Sequence, residues 1–356
     1  MTPARYWRLL DSGKLVCELC PRRCELNDGQ RGFCFVRARQ GEQLVLTTYG
    51  RSSGFCVDPI EKKPLNHYHP GTSVLSFGTA GCNLACKFCQ NWDISKSRHM
   101  ERIADYASPE AIALAARQHG CHSVAYTYND PVIFAEYAVD TASACRELGV
   151  ESVAVTAGYM ELEPAAWFFS HMDAANVDLK SFSETFYRKL TGGHLQPVLE
   201  LLQYLACETQ VWVELTTLLI PDCNDSEAEL QALTQWVVTE MGSDVPIHFT
   251  AFHPDWQMRD LPRTPTETLL RARAIALANG MKFAYVGNVQ DGHGGSTWCP
   301  GCGQLLIERY GYTLRQWALT PDGRCRVCAM PIPGRFAGAP GGWGARRLPV
   351  QIAPHL

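Results

Sequence analysis

The chain has 356 residues, of which 46% are apolar and 19% charged; this is enough apolar chain for one large core or two smaller ones, and it excludes disorder as the main state. No window offers the roughly 20 apolar residues of a membrane span, and the first residues lack the apolar segment of a signal peptide, so we expect a cytoplasmic protein. A formal net charge of −4 without a long basic run argues against nucleic acid as a partner.

Short β-branched segments alternate with helical patterns through the middle of the chain. The predicted strands are 73–77, 123–128, 151–156, 176–179, 211–220, 247–252 and 283–286. The predicted helices are 108–120, 132–148, 164–171, 197–206, 226–241 and 265–279. Six β/α units in succession predict an α/β fold with a parallel sheet, either an open doubly wound sheet or a partial (β/α)6 TIM-like barrel. Ligands are then expected at the carboxyl ends of the strands.

Sixteen cysteines stand out, and their clustering favours metal ligands over disulfides in a reducing cytosol. Three groups contain most of them: Cys17, Cys20, Cys24 and Cys34; Cys82, Cys86 and Cys89; and Cys299, Cys302, Cys325 and Cys328. The others are scattered and are expected to be buried structural residues: Cys56, Cys121, Cys145, Cys207 and Cys223.

The cysteine groups also divide the chain. Residues 1–70 are predicted to form a cysteine-rich N-terminal extension and residues 71–290 the α/β core. Residues 291–333 form a four-cysteine segment that resembles a zinc ribbon. The tail at 334–356 is rich in Gly, Pro and Arg without periodicity, so we expect a surface segment or partial disorder.

The middle cysteine group has the spacing C-x3-C-x2-C and directly follows the first predicted strand. Three thiolates on one loop can hold three irons of a [4Fe-4S] cube, because soft thiolate is the preferred ligand. The fourth iron then has no protein ligand and is open to a small molecule. The alternatives are a zinc site completed by a distant ligand and a redox pair with a spare thiol.

With Cys82, Cys86 and Cys89 on this loop, residues 73–287 resemble the radical S-adenosylmethionine (SAM) superfamily. The resemblance implies a partial (β/α)6 barrel with a [4Fe-4S] cluster whose open iron is chelated by SAM. It also implies reductive cleavage of SAM to methionine and a 5′-deoxyadenosyl radical, which takes a hydrogen atom from the substrate. The implied partner is an electron donor such as flavodoxin or ferredoxin.

Polar residues at later strand ends are similar to motifs of the activating enzymes of glycyl-radical proteins, such as pyruvate-formate-lyase-activating enzyme. Asn129 and Asp130 occupy the position of a motif whose carboxylate contacts the methionine ammonium group of SAM. An Asx turn before proline is the alternative for Asp130. Thr156 lies in a segment that resembles another SAM-contacting motif of these enzymes. This chain has valine where the motif has an acid and alanine where the motif has an amide.

The resemblance continues at two further strand ends. Asp178 and Lys180 match an Asp-Leu-Lys motif that flanks the cofactor, with an ordinary ion pair as the alternative. His253 matches a histidine near the adenosyl group, with a loop histidine that caps the barrel as the alternative. The resemblance therefore implies six cofactor-binding residues and assigns no catalytic residue: Asn129, Asp130, Thr156, Asp178, Lys180 and His253.

The two outer cysteine groups indicate a more specific family within this superfamily. The C-terminal group has the spacing C-x2-C-x22-C-x2-C, typical of a zinc ribbon, with an auxiliary iron–sulfur cluster or free thiols as alternatives. The N-terminal C-x2-C-x3-C-x9-C group predicts a bound metal of some kind. With both groups, nearly the whole chain looks like the radical SAM component of the AmmeMemoRadiSam system, whose companion proteins are then implied partners.

The sequence is consistent with three functions. The leading hypothesis is a radical SAM enzyme that abstracts hydrogen from an unidentified substrate. The first alternative is an activating enzyme that installs a glycyl radical in a partner protein. An alternative of another class is a non-catalytic iron–sulfur electron carrier or metal-binding scaffold, which would not need a SAM pocket.

Overall fold

Short antiparallel strands make up the N-terminal segment of the computed structural model, which describes residues 2–96, 105–336 and 338–352. Their bounds are β1 Thr2–Pro3, β2 Trp7–Leu9, β3 Leu15–Cys17, β4 Glu25–Leu26, β5 Arg37–Gln40, β6 Gln43–Leu46, β7 Arg51–Ser52 and β8 Phe55–Pro59. One small sheet has the order β1-β6-β5 and another the order β2-β3-β4. Leu15, Val36 and Leu44 are buried in the main hydrophobic core, so the segment packs against the rest of the chain.

Parallel strands form the centre of the fold. The next strands are β9 Ser73–Phe77, β10 Asp105–Tyr106, β11 Ser123–Tyr126, β12 Glu151–Thr156, β13 Ala174–Asp178, β14 Trp212–Leu219, β15 Ile247–Ala251 and β16 Ala284–Gly287. All except β10 lie side by side in the order β16-β15-β14-β13-β12-β11-β9, and each neighbouring pair is parallel. The predicted strands are thus present, with ends that differ by one or two residues.

Helices connect the parallel strands. Their bounds are α1 Trp92–Ser95, α2 Pro109–Gln118, α3 Ala135–Glu147, α4 Leu162–Phe169, α5 Glu184–Phe186, α6 Gln196–Glu208, α7 Glu227–Glu240, α8 Thr266–Ala278 and α9 Gly292–Gly295. The hydroxyl of Ser108 accepts a hydrogen bond from Ala111 N at the start of α2, and that of Ser226 accepts one from Glu229 N at the start of α7. In the described parts of the chain, no helix has the length and apolarity that crossing a bilayer requires.

The remaining strands are β17 Thr297–Trp298, β18 Leu305–Tyr310, β19 Thr313–Trp317 and β20 Leu348–Val350. Strands β17, β18 and β19 form a separate antiparallel sheet in the C-terminal segment. The large sheet is not closed: within the described residues it ends at β16 on one side and at β20 on the other. The α/β fold with an incomplete barrel is therefore confirmed.

The tail, expected to be a surface segment or partly disordered, contains a mostly exposed strand. Strand β20 pairs antiparallel with β8, which pairs antiparallel with β9, so the tail forms one edge of the large sheet. The strand contains Pro349, and an edge strand tolerates a proline because one of its sides makes no ladder hydrogen bonds. Residues 353–356 lie outside the described residues.

The scattered cysteines only partly follow the prediction. Cys56, Cys121 and Cys145 are buried, as predicted. Cys223 is half-buried and Cys207 is exposed, so the prediction was wrong for these two. Cys207 lies in the last turn of α6, where its thiol is 3.6 Å from the carbonyl oxygen of Glu240.

A polar segment fills part of the space enclosed by the sheet. Glu214 of β14 accepts hydrogen bonds from the backbone N–H groups of Asn66 (2.9 Å) and His67 (2.7 Å), and it pairs with His248 of β15 at 2.7 Å. His67 in turn donates from Nδ1 to the carbonyl oxygen of Pro333 in the C-terminal segment. Both terminal segments therefore make contacts close to the buried side chains of β14 and β15.

Candidate cofactor and metal site

Two glycines bring the cysteine loop close to its neighbours. A Cβ atom on Gly78, directly after β9, would lie 2.2 Å from the carbonyl oxygen of Thr127. A Cβ atom on Gly81, whose φ is +88°, would lie 2.2 Å from the carbonyl oxygen of Cys34. No other residue fits at these positions without a shift of the backbone. Cys82 therefore begins a loop that is pressed against both β11 and the N-terminal segment.

The side chain of Asn129 fastens the same loop. Its Oδ1 accepts a hydrogen bond from Thr79 N at 3.2 Å, and its Nδ2 donates to the carbonyl oxygen of Gly81 at 3.0 Å. Asn129 lies just beyond β11, at the carboxyl edge of the sheet. This predicted cofactor residue thus holds the backbone that leads into the three cysteines.

The three loop cysteines converge without close sulfur contacts. Cys86 lies within electrostatic range of both Cys82 and Cys89. Among the described residues, however, the groups of metal-ligating atoms that lie within 4.8 Å of one another do not include these thiols. A cluster holds each thiolate on a different iron, so its ligands stand farther apart than those of a single ion. The three described thiols are therefore not as close together as the ligands of a single ion, which favours a cluster over one ion.

Two lysine ammonium groups lie near Cys86. Burial raises the pKa of Cys86 to about 11, and the ammonium groups of Lys180 and Lys96 oppose that rise. Burial likewise raises the pKa of Cys82 well above its ordinary value. Thiolates bound to metal carry negative charge in this buried place, so nearby ammonium groups favour the loaded form.

Asp178 and Lys180 form an ion pair beside Cys86. Lys180 Nζ lies 2.8 Å from Asp178 Oδ2. Burial acts to lower the pKa of Lys180, but the Asp178 carboxylate and the Cys86 thiol outweigh it, so that the pKa is raised. The structure thus places the predicted pair at the carboxyl end of β13 and next to the cysteine loop, with the lysine charged.

Asp130 is buried and joins two strand ends. Its Oδ1 accepts hydrogen bonds from Val132 N (3.1 Å) and Thr156 Oγ1 (2.9 Å), and its Oδ2 accepts one from Ala157 N (2.9 Å). The bond to Val132 N is the Asx turn considered as the alternative. Contact of Asp130 or Thr156 with SAM stays a prediction, and the structure adds a positioning role at the ends of β11 and β12.

His253 lies at the exposed rim of the site. Its Nδ1 is 2.9 Å from Gln90 Nε2, and Gln90 directly follows Cys89. Close by, the indole rings of Trp92 and Trp256 stack with their centroids 4.8 Å apart. The loop after β15 therefore reaches across to the chain that follows the third cysteine.

Two residues that were not predicted from the sequence, Asn83 and Lys96, make hydrogen bonds that hold the cysteine loop in place. Asn83 Nδ2 donates to the carbonyl oxygen of Tyr159 at 2.8 Å, and Lys96 Nζ donates to the carbonyl oxygen of Leu84 at 2.9 Å. Asn83 could have been found because it follows the first cysteine of the motif. Nothing in the sequence marks Lys96, whose role depends on how α1 folds back onto the loop.

A cavity of about 900 Å³ opens at the same edge of the sheet. The ends of β15 and β16 form one wall, and the chain around Glu61 and Arg309 forms the other. Its lining includes the side chains of Lys62, Arg263 and Asp291. Its volume is that of a small-molecule site, and its charged lining favours a polar occupant.

The C-terminal cysteines form a compact cage. The sulfur atoms of Cys299, Cys302, Cys325 and Cys328 all lie within 4.8 Å of one another. Two sulfur–sulfur distances are 3.5 Å (Cys299–Cys328) and 3.7 Å (Cys302–Cys325). Tetrahedral zinc with Zn–S bonds of about 2.3 Å places its sulfurs about 3.8 Å apart. This donor set fits one zinc ion.

A third group lies at the opposite edge of the sheet. His69 Nε2 and His122 Nε2 are 3.1 and 3.3 Å from Glu151 Oε2. Tyr68 also donates its hydroxyl proton to this carboxylate. These residues lie at the amino ends of β11 and β12, away from the edge where parallel sheets bind ligands. We attribute the group to polar contacts within the fold.

Three known proteins illustrate what this chain is similar to. The chain is 40% identical over 333 residues to the uncharacterized protein MJ0808 of Methanocaldococcus jannaschii, which covers 93% of this chain and 99% of that protein. A radical SAM methyltransferase from Sphaerobacter thermophilus is similar in structure with a TM-score of 0.50 and 14% identity, over 80% of this chain and 76% of the other. A domain of pyruvate-formate lyase-activating enzyme from Bacteroides vulgatus gives a TM-score of 0.42 and 16% identity, over 47% of this chain and 99% of the other.

The family match covers the cysteine loop and most of the parallel sheet. The sequence pattern of the Radical SAM superfamily matches residues 77–233. That segment begins at the last residue of β9 and extends into α7. It includes Cys82, Cys86 and Cys89 together with five of the six predicted cofactor residues. The chain belongs to the radical SAM superfamily.

Proposed function

We propose that this protein is an enzyme that holds a [4Fe-4S] cluster at Cys82, Cys86 and Cys89, with SAM bound to the open iron. The observation that carries the proposal is the position of three thiols, one buried and two partly buried, on the loop after the first parallel strand. When bound, the cluster and SAM supply reductive cleavage to methionine and a 5′-deoxyadenosyl radical for hydrogen abstraction.

The residues around the loop then have separate tasks. Asn129 fixes the backbone that enters the loop, through its bonds to Thr79 and Gly81. Lys180, held by Asp178, supplies a fixed positive charge beside the thiolates. His253 lies at the rim next to Gln90, and this position supports a role in orienting the bound nucleoside.

The substrate site is proposed to be the cavity between β15, β16 and the chain around Glu61. It lies at the carboxyl edge of the sheet, as the cysteine loop does, and its charged lining supports a polar substrate.

The wider assignment to the AmmeMemoRadiSam system is supported by the sequence resemblance of the two terminal cysteine groups. Its companion proteins, and a flavodoxin or ferredoxin as the one-electron donor, are the proposed partners in the cytoplasm. The compact C-terminal cage supports zinc as the metal held by Cys299, Cys302, Cys325 and Cys328.

The test is anaerobic reconstitution with iron and sulfide, followed by dithionite and SAM, with 5′-deoxyadenosine as the product measured. The parent protein should form 5′-deoxyadenosine, whereas Cys86→Ala should form none because one iron loses its protein ligand. Cys207→Ala is the matched control, since that thiol is exposed and far from the loop in sequence. A fully loaded parent protein that binds no SAM and forms no 5′-deoxyadenosine would sink the proposal and favour a non-catalytic scaffold.

A further inference from the structure

The N-terminal cysteines face one common cavity. Its walls are the four thiols of Cys17, Cys20, Cys24 and Cys34 together with mostly apolar neighbours such as Phe33. Each of the four thiols is close enough to the other three for their charges to interact. Short strands β3 and β4 and the turn at residues 32–35 hold these side chains together although the last cysteine is far from the first in sequence. The arrangement is a preformed thiol cage.

The spacing of this cage differs from that of the C-terminal cage. Both hold four cysteines, yet within the described residues only the C-terminal four have sulfur atoms that are all within 4.8 Å of one another. Neither the N-terminal four nor the loop cysteines Cys82, Cys86 and Cys89 include three described sulfur atoms that all lie within 4.8 Å of one another. A single tetrahedral ion requires the narrow spacing, and a cluster in which each thiolate binds its own iron requires the wide one.

The cage is packed against the cysteine loop. Arg22 Nε donates to the carbonyl oxygen of Asn83 at 2.8 Å, and Asn83 also lines the cage. On the other side of Cys82, the carbonyl oxygen of Cys34 is so close to Gly81 that no Cβ atom fits there. Both sequence neighbours of Cys82 therefore touch the N-terminal segment.

The lining suits an anionic cluster. The buried guanidinium of Arg37 lies in the wall, where its positive charge is shared with the carboxylate of Glu136. The backbone N–H of Phe33 donates to Cys24 Sγ at 3.4 Å, and N–H···S bonds of this kind stabilise the reduced, more negative state of a cluster. A positive charge in the wall would also favour zinc bound by four thiolates. The spacing of the sulfur atoms, and not the charge, therefore distinguishes a zinc site from a cluster site.

We propose that Cys17, Cys20, Cys24 and Cys34 hold a second iron–sulfur cluster, of the [4Fe-4S] type, directly beside the loop that begins at Cys82. The protein then carries iron at the two wide thiol groups and zinc at the narrow C-terminal one. The proposal goes beyond the function proposed above, because a second cluster could be present whether or not SAM is cleaved.

The test uses the full chain with the first cluster site removed. The triple variant Cys82→Ala/Cys86→Ala/Cys89→Ala is reconstituted anaerobically, and iron, sulfide and zinc are measured together with the Mössbauer spectrum. It should retain roughly half of the iron and sulfide of the parent, because both sites hold the same cluster type. Adding Cys20→Ala/Cys24→Ala should remove that remainder, whereas adding Cys207→Ala/Cys223→Ala should leave it unchanged.

Two results would overturn the proposal. One is a triple variant with no iron whose N-terminal thiols hold zinc that is lost with Cys20→Ala/Cys24→Ala. The other is residual iron that stays when Cys20 and Cys24 are replaced. If the five-fold variant does not fold, as judged by circular dichroism, the parent decides: it should bind about eight irons and about eight sulfides per chain, and about four of each counts against a second cluster.

Discussion

Asn129 Nδ2 donates a hydrogen bond to the carbonyl oxygen of Gly81 at 3.0 Å, and this bond ties the end of β11 to the residue before Cys82. The same side chain accepts from Thr79 N. A cluster loop must keep its thiols in place before metal arrives, since disorder of the loop opposes binding. Asn129 therefore acts on cluster loading through the backbone of the loop.

Replacing this side chain should loosen the loop. Asn129→Ala is expected to lower the free energy of unfolding by about 1–3 kcal/mol and to reduce the iron retained after reconstitution. Asn279→Ala is the matched control, because its Nδ2 donates to Thr234 Oγ1 at 2.7 Å away from the site. Equal iron retention in the two variants would contradict the fastening role.

Asp130→Asn should affect both stability and SAM binding. The amide cannot accept at both ends, so at least one of the bonds from Val132, Thr156 and Ala157 is lost. We expect a free energy of unfolding lower by about 1–3 kcal/mol, SAM affinity weakened by a similar amount and unchanged cluster iron. Calorimetric titration with SAM and urea unfolding give the two values. SAM affinity equal to that of the parent would leave Asp130 with a structural role alone.

The buried ion pair between Arg37 and Glu136 offers a test by a double-mutant cycle. The side chains are 2% and 7% exposed, so removing one partner leaves a buried charge uncompensated. Arg37→Met should cost about 3–5 kcal/mol of stability, and Arg37→Met/Glu136→Leu should regain much of it. Urea unfolding of the parent, both single variants and the double variant measures the coupling energy. A double variant as unstable as the sum of the single ones would show that the two charges do not interact.

Glu61 should make stability fall as pH rises. Burial raises the pKa of Glu61 from its ordinary 4.5 to about 7, against the opposing charge of Arg309. Between those values the folded chain binds more protons than the unfolded chain, so the free energy of unfolding decreases as pH increases. Urea unfolding across this range should show a smaller decrease for Glu61→Gln than for the parent. Glu208→Gln, which alters an exposed carboxylate, should match the parent.

Removing two C-terminal ligands should release zinc alone. Cys299→Ala/Cys302→Ala is expected to lose zinc, to keep its iron and sulfide, and to unfold the segment at 291–333 while the parallel sheet remains. Metal analysis and hydrogen exchange measure these effects. Loss of iron and sulfide in place of zinc would show that this cage holds a cluster and that the zinc assignment is wrong.

Local signals explain what could be predicted. The strands at 73–77 and 151–156 and the helix starts at Ser108 and Ser226 follow from β-branched runs and capping residues, which act within a few residues. The cysteine loop was evident for the same reason, since its ligands lie close together in sequence. The domain boundaries drawn from the cysteine groups stay predictions.

Contacts between distant segments could not be predicted. The approach of Cys34 to Gly81 and the bond from Arg22 to Asn83 depend on how the N-terminal sheets pack against the barrel. Likewise, Asp130 accepts hydrogen bonds from Thr156 of β12 and from Ala157 directly after it. No sequence pattern around the aspartate predicts these two donors. Such contacts arise only once the sheet order is set, and the sequence contains no periodic signal for them.

The pairing of β20 with β8 has a consequence for the solubility of the protein. A long strand at a sheet edge exposes unpaired N–H and C=O groups, which can join strands of other molecules into aggregates. Here β20 covers that edge of the sheet, and its own Pro349 removes one donor from the outer rim. A chain shortened before Leu348 would expose β8, whose residues Phe55 and Val57 are apolar and buried, as a template for intermolecular pairing. The tail thus protects the folded protein against self-association.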